Sequence, residues 1–187
     1  HAMNAGPVGS AGGLAANRLA RESDLVIAVG TRLGDFVTAS RTAFGYPGVQ
    51  FIGLNVVPMD AAKLGALSVV ADAREGLESL FEALAGWEGT PPNYRNEVRA
   101  LKREWDAAVD DARRDTGSTP PSQGAVLGAV NDAVGGHTVV ICAAGSLPGD
   151  LLRLWRPEDS GAYHVEYGYS CMGYEIPAGL GVKLAEP

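Results

Sequence analysis

The chain has 187 residues, 46% of them hydrophobic, which is enough to bury a core as one domain or two small ones and excludes a disordered chain. Fifteen Lys and Arg against 22 Asp and Glu leave a net charge of -7, spread along the chain rather than gathered in a tail, so the surface repels polyanions and argues against nucleic acid as a partner. No apolar stretch reaches the length of a membrane span and no charged-then-apolar leader opens the chain. The only cysteines, Cys142 and Cys171, lack the Cys and His neighbours of a zinc site, so reduced thiols, a cytoplasmic setting and no membrane partner are expected.

His1-Ala2-Met3 reads as a cloning remnant and is left out of the fold reasoning. Gly6 to Gly13 is a Gly-rich loop, and Leu14 to Arg21 then carries helical spacing. Asp24 to Gly30 is a short apolar run ending in Gly, the pattern of a strand buried on both faces of a parallel sheet, and Val49 to Asn55 and Leu67 to Ala71 repeat it. A short helix around Asp60 to Leu64 separates the last two. Strands joined by crossovers predict an α/β sheet. Leu77, Leu80, Phe81 and Leu84 then give Ala73 to Leu84 an apolar stripe that should pack on that sheet.

After the turn-rich Gly86 to Pro92, a helix from about Asn93 to Arg114 carries Val98, Leu101, Trp105, Ala108 and Ala112 on one face, with Asp110 and Arg114 as an acid-first i,i+4 pair. Thr116 to Ser122 is a linker, and Ser122 caps a helix over Gln123 to Val134. Strands at Thr138 to Cys142 and Tyr163 to Val165 follow, with helices at Asp150 to Trp155 and Tyr174 to Ala185. The domain boundaries expected are 4–85, a linker helix and loop at 86–121, and a second unit at 122–187.

Two segments could carry chemistry. The turn Ala143-Ala-Gly-Ser-Leu-Pro-Gly149 lies between a strand and a helix, where free backbone N–H groups and the helix dipole suit a phosphate. It also reads as an ordinary βα loop, which on pattern alone is the commoner answer. The stretch Glu166-Tyr-Gly-Tyr-Ser-Cys-Met-Gly-Tyr-Glu175 places Gly168 and Gly173 where backbone can approach a ligand, and Met172 where a polarizable side chain can meet an aromatic ring; as bare pattern, Met172, Tyr167 and Tyr169 equally fill a core. Gly6 to Gly13 and Gly30 to Gly34 are imperfect versions of a dinucleotide-binding glycine fingerprint. His137 sits at a turn, and His164 with Glu166 occupies alternate positions of a strand, as an acid–base pair or, more commonly, a plain hydrogen bond.

The order and content of these segments resemble thiamine-diphosphate enzymes of the acetolactate synthase type. Arg21 to Asp35, Phe51 to Asn55 and Val69 to Ala73 resemble part of that family's Rossmann-like central domain, and Thr138 to Leu154 with Tyr163 to Lys183 resembles the start of its second α/β, diphosphate-binding domain. Cys142 to Asp150 and Tyr163 to Glu175 resemble more narrowly the branch of inositol breakdown, the trihydroxycyclohexane-1,2-dione hydrolases. The resemblance implies that Ala144, Gly145, Ser146 and Leu147 lie against the cofactor diphosphate. It also implies that Met172 wedges between the cofactor rings, and that backbone of Ser170 and Met172, in the Ser170-Cys171-Met172 segment, bonds the aminopyrimidine. That bend brings the 4′-amino group to the thiazolium C2 proton. The implied reaction opens a cyclic diketone to 5-deoxyglucuronate.

By the same resemblance, the Glu that activates the pyrimidine belongs to a preceding domain, and the motif that holds Mg2+ would begin shortly after Pro187. The chain is therefore expected to be a fragment with no catalytic residue and no metal ligand of its own, to bind thiamine diphosphate weakly or not at all, and to act within a homo-oligomer. Readings from other classes are an acetolactate synthase-like carboligase or decarboxylase, a non-catalytic module holding FAD or NAD, and an assembly piece pairing through exposed sheet edges.

Overall fold

β-Branched and other apolar residues in short runs, each bounded by turn residues, set the first sheet. In the computed structural model, which describes residues 2–135 and 138–186, helix α1 (Leu14–Glu22) leads into strand β1 (Leu25–Val29). A four-residue helix, α2 (Asp35–Thr38), precedes β2 (Gln50–Asn55), and α3 (Pro58–Ala61) with a 3-10 turn at Lys63–Gly65 precedes β3 (Leu67–Val70). The three strands are parallel in the order β1-β2-β3, with Leu25 opposite Gln50 and Ile52 opposite Leu67, so the predicted crossover sheet is present. Helix α4 (Ala73–Ala83) follows, capped by the Asp72 carboxylate, which accepts from the Arg74 amide at 2.8 Å.

Close backbone approach fixes how the crossovers pack. A methyl on Gly53 would stand 2.0 Å from the Ala61 carbonyl oxygen, so α3 lies directly on β2 because residue 53 has no side chain. Gly76 does the same for α4, whose backbone meets the Leu54 methyls. Buried Asn55 donates to the Thr31 carbonyl at 3.1 Å, and Lys63 bridges the Asp60 carboxylate and the Arg32 carbonyl, which ties the ends of β1 and β2 to the 3-10 turn.

One expectation fails here. The strands were read as buried on both faces and α4 as laying its stripe on the sheet, yet Leu25, Ile27, Leu67, Val69 and Val70 are exposed, as are Leu77, Leu84 and above all Phe81 at 82%. The cause is geometric: α4 contacts the sheet around Leu54 and Gly76 and turns Leu77, Phe81 and Leu84 outward. An open apolar groove of about 390 Å³ runs along that face, lined by Ile27, Ile52, Leu54, Val69 and Leu80.

Helix α5 (Pro92–Arg113) carries buried Val98, Leu101 and Val109, and the chain divides within it into two units, residues 1–105 and 106–187. In the second unit α6 (Gln123–Ala133) starts as predicted on Ser122, whose hydroxyl accepts from the Ala125 amide at 3.1 Å. Gly124 and Gly128, four residues apart on one face, let α6 meet the Ala112 and Arg113 carbonyls closely. Strand β4 (Val140–Cys142), helix α7 (Ser146–Leu154), strand β5 (Tyr163–Val165) and helix α8 (Glu175–Ala185) complete it, over a core of Leu127, Cys142 and Leu151 joined by Val140, Leu154, Trp155, Tyr163 and Val165.

The predicted Asp110–Arg114 pair is not made. Arg114 bonds Asp111 at 2.9 Å, and Asp110 instead meets Arg156 at 2.7 Å, because Arg156 reaches back to α5 and also donates to the Asp106 carbonyl. His137 lies outside the described residues.

Replacing Gly53 with Ala forces a methyl into the α3 backbone and should destabilise the first unit by about 1–3 kcal/mol or more. A urea titration should show a lower midpoint; an unchanged midpoint would contradict the close seat of α3 on β2.

Candidate functional site

Strands β4 and β5 pair in parallel, with Val140 opposite Tyr163 and Cys142 opposite Val165, and the ladder is extended by Val140 N–H donating to the Ala162 carbonyl and Glu166 N–H to the Cys142 carbonyl. Parallel strands end at the same side of a sheet. The chain leaving Cys142 and the chain leaving Val165 therefore emerge at one edge, roughly one strand spacing of about 4.8 Å apart at their origins. The two predicted segments, Ala144 to Leu147 and Ser170 to Met172, therefore follow strands that end on the same side of the sheet.

In the first segment Ala143 is fully buried, while Gly145, Ser146 and Leu147 face solvent. Gly145 is the N-cap of α7 with φ 122° and ψ -174°, a region that residues with a Cβ scarcely enter, and no side chain caps the helix. Among the described residues, no protein group accepts from the amides of Gly145, Ser146 or Leu147. Three exposed residues at the positive end of a nine-residue helix thus carry amides that no protein group among the described residues accepts from. The sequence reading started this helix at Asp150. It begins at Ser146, because Pro148 falls in the first turn, where the missing N–H costs nothing and its fixed φ suits the helix.

The second segment is a loop tied to two carboxylates. Tyr169 N–H donates to Glu166 Oε1 at 2.7 Å, Cys171 N–H to Glu166 Oε2 at 2.8 Å, and Gly173 N–H to Glu175 Oε2 at 3.0 Å. Ser170 between them is left-handed at φ 57°, and Gly173 at φ 91°. Donation from the Cys171 amide first, and then from Tyr169, holds the Glu166 carboxyl below the usual carboxylate range. Met172 is 86% exposed and fills no core of this chain; Tyr169 is exposed as well, whereas Tyr167 is half-buried and its phenol is pushed up by burial. Sequence reasoning missed the role of Glu175. The readable signal was an acid at each end of a Gly-punctuated loop.

The other candidates resolve differently. Most donors of the Gly6 to Gly13 loop are taken by protein acceptors. Asn17 bridges Gly9 N and O at 2.8 and 3.0 Å, Ser10 N–H donates to the Phe36 carbonyl, Gly12 N–H to the Gly9 carbonyl and Gly13 N–H to the Pro7 carbonyl. The Gly30 amide likewise donates to the Leu54 carbonyl. A phosphate would find those groups occupied. His164 is exposed on β5, and Glu166 lies past the strand end with its carboxylate turned to the loop amides, so the two do not form the pair considered from sequence. Cys142 is buried with its thiol 3.3 Å from the Tyr163 hydroxyl, and burial pushes both groups up, which makes it a packing residue rather than a nucleophile. Cys171 is free and exposed. Among the described residues no three His, Cys, Asp or Glu gather to hold a metal ion, and no helix is long and apolar enough to cross a membrane.

Comparison with known proteins gives two family matches. Residues 1–80 match the thiamine pyrophosphate enzyme central domain, and residues 143–187 match the thiamine pyrophosphate enzyme C-terminal TPP binding domain. Among curated proteins, the 3D-(3,5/4)-trihydroxycyclohexane-1,2-dione hydrolase of Halalkalibacterium halodurans is 42% identical over 98% of this chain and 32% of its own length. The proteins of that name from Shouchella clausii and Geobacillus thermodenitrificans are 42% and 41% identical over 100% of this chain, and 33% and 32% of their own lengths. The chain spans about a third of the length of the curated relatives it matches.

Two outcomes test the geometry. Gly145→Ala must force a side chain into φ 122° and should cost about 1–3 kcal/mol, read as a lower denaturation midpoint of the second unit. Because the folded-state pKa of Glu166 is depressed, its contribution is complete above the ordinary carboxylate value of about 4.3 and is lost as pH falls through the lowered folded value. Hydrogen exchange, corrected for its intrinsic pH dependence, should show steady protection of the Tyr169 and Cys171 amides from neutrality down to that range, and loss below it.

Proposed function

We propose that this chain, whose residues 1–80 and 143–187 match two thiamine pyrophosphate enzyme domains, is a segment of a longer thiamine-diphosphate-dependent hydrolase that opens 3D-trihydroxycyclohexane-1,2-dione in inositol catabolism. In this reading residues 4–85 are part of the central domain, 86–121 a linker helix and loop, and 122–187 the N-terminal part of the diphosphate-binding domain. The observation that carries the reading is the contrast between glycine loops. The amides of Gly6, Gly9, Ser10, Gly12 and Gly13 are committed within the protein, whereas no protein group among the described residues accepts from those of Gly145, Ser146 and Leu147 at a helix start.

The residues present fit the cofactor. A Cβ on Gly145 would meet only the Pro148 ring, at 3.8 Å, so a diphosphate can approach the Ala144 to Leu147 backbone without hindrance. Its negative charge would be met by N–H groups and the helix dipole rather than by side chains. Exposed Met172 can lie against an aromatic ring, and the peptide groups of Ser170 and Met172, with Cys171 between them, offer both donors and acceptors to an aminopyrimidine. Bound thiamine diphosphate supplies a thiazolium carbon able to attack a carbonyl of the cyclic diketone. This chain's contribution is to bind and bend the cofactor, and no residue of it is assigned a proton-transfer role. Mg2+ would accompany the diphosphate with ligands from beyond the described residues. The exposed apolar sheet face supports work within a homo-oligomer, and the two free thiols support a reducing, cytoplasmic setting.

Calorimetry with thiamine diphosphate and Mg2+ tests this. The full-length protein should bind the cofactor and open the cyclic dione, while the 187-residue chain alone should bind more weakly than micromolar, or about -8 kcal/mol, and turn nothing over. Micromolar binding by the chain alone would overturn the split-site reading.

A further inference from the structure

The loop from Tyr169 to Gly173 is held by its odd-numbered amides. Glu166 takes those of Tyr169 and Cys171 with separate oxygens, at 2.7 and 2.8 Å, and Glu175 takes that of Gly173 at 3.0 Å. Among the described residues, no protein group accepts from the intervening amides of Ser170 and Met172. The left-handed turn at Ser170 lies between the two amides that Glu166 holds. A loop this exposed, with Tyr169 at 83% and Met172 at 86%, has few packing contacts to fix its path, so the carboxylates are its principal fasteners.

We propose that Glu166 and Glu175 are positioning residues, which fix the loop so that the Ser170 and Met172 peptide groups and the Met172 side chain are presented to the pyrimidine ring. The inference rests on the reading that this loop seats thiamine diphosphate. Each acid acts through the loop backbone and touches no reacting atom. Glu166 matters more, because it fixes both sides of the strained residue. A glutamine there keeps the shape, but its amide nitrogen is a donor and confronts one of the two N–H groups with a second donor.

The test is made on the full-length enzyme with Glu166→Gln, Glu175→Gln and, as a control on the same strand, His164→Gln. Without cofactor, hydrogen exchange of the 166–175 peptide should speed up at least tenfold in Glu166→Gln and less in Glu175→Gln, with the rest of the enzyme and the control unchanged. The thiamine diphosphate concentration for half-maximal activity should rise at least tenfold in Glu166→Gln, while KM for the dione stays within about twofold. If Glu166→Gln does not fold, Glu175→Ala, which removes the acceptor of the Gly173 amide, carries the same two readouts. Wild-type and variant enzymes that exchange and half-saturate alike would overturn the positioning inference alone. A wild-type enzyme that takes up no thiamine diphosphate would overturn the reading of the loop, and this inference with it.

Discussion

The parallel pairing of β4 with β5 is the constraint on which the site depends. Were the two strands antiparallel, the chain after Cys142 and the chain after Val165 would leave at opposite ends, and no ligand could touch both. The pair is short, three residues a side, and hydrogen bonds of that number contribute only about 0.5–1.5 kcal/mol each. Direction is therefore secured from beneath, where Leu127, Cys142 and Leu151 pack with Val140, Tyr163 and Val165 from both strands. The hydrogen bond between the Cys142 thiol and the Tyr163 hydroxyl satisfies the polar tips that this packing buries. Core chemistry and site geometry are in this way one arrangement seen from two sides.

A second theme is where backbone donors go. Glycine-rich loops look alike in sequence, yet the loop at Gly6 to Gly13 closes on Asn17 and the Phe36 carbonyl, while the turn at Gly145 leaves its donors open. The difference lies in a side chain several positions away. Asn17 can serve one loop from the fourth position of α1, and nothing comparable stands on α7, where the fourth position is Gly149 and has no side chain to bond with. Accounting for amides separates a structural loop from one with capacity for an anion.

Much of the fold was legible in the sequence because strand periodicity and cap residues are local. The three apolar runs became β1, β2 and β3, and Ser122 capped α6 as its type requires. What was misread depends on partners distant along the chain. Asp110 chose Arg156, 46 positions on, over the nearer Arg114. The start of α7 was set four residues late because Pro148 and two glycines read as loop, although proline is at home in a first helical turn. Burial of the first sheet was overstated, since apolar composition says that a face wants cover and not whether the neighbouring helix supplies it. In the candidate site, the two segments proposed to face the cofactor were visible as motifs, and the carboxylate clamp was not. Glu166 was read as a partner for His164 on strand geometry, whereas its oxygens are taken by amides three and five residues ahead.

The backbone at Gly145 also bears on how such a protein can change over generations. Its φ of 122° admits a residue without a Cβ and little else. Every base change in a glycine codon that alters the amino acid introduces a side chain or a stop, so no graded series of alleles leads away from this position. A lineage drifting here would break the turn at the first step. Adjustment of affinity or substrate would have to come through neighbours that tolerate replacement, such as the exposed side chains of Ser146 and Leu147 or the acids flanking Tyr169 to Gly173. The turn at Gly145 is in that sense a fixed frame, and the 169–173 loop is where variation has room to work.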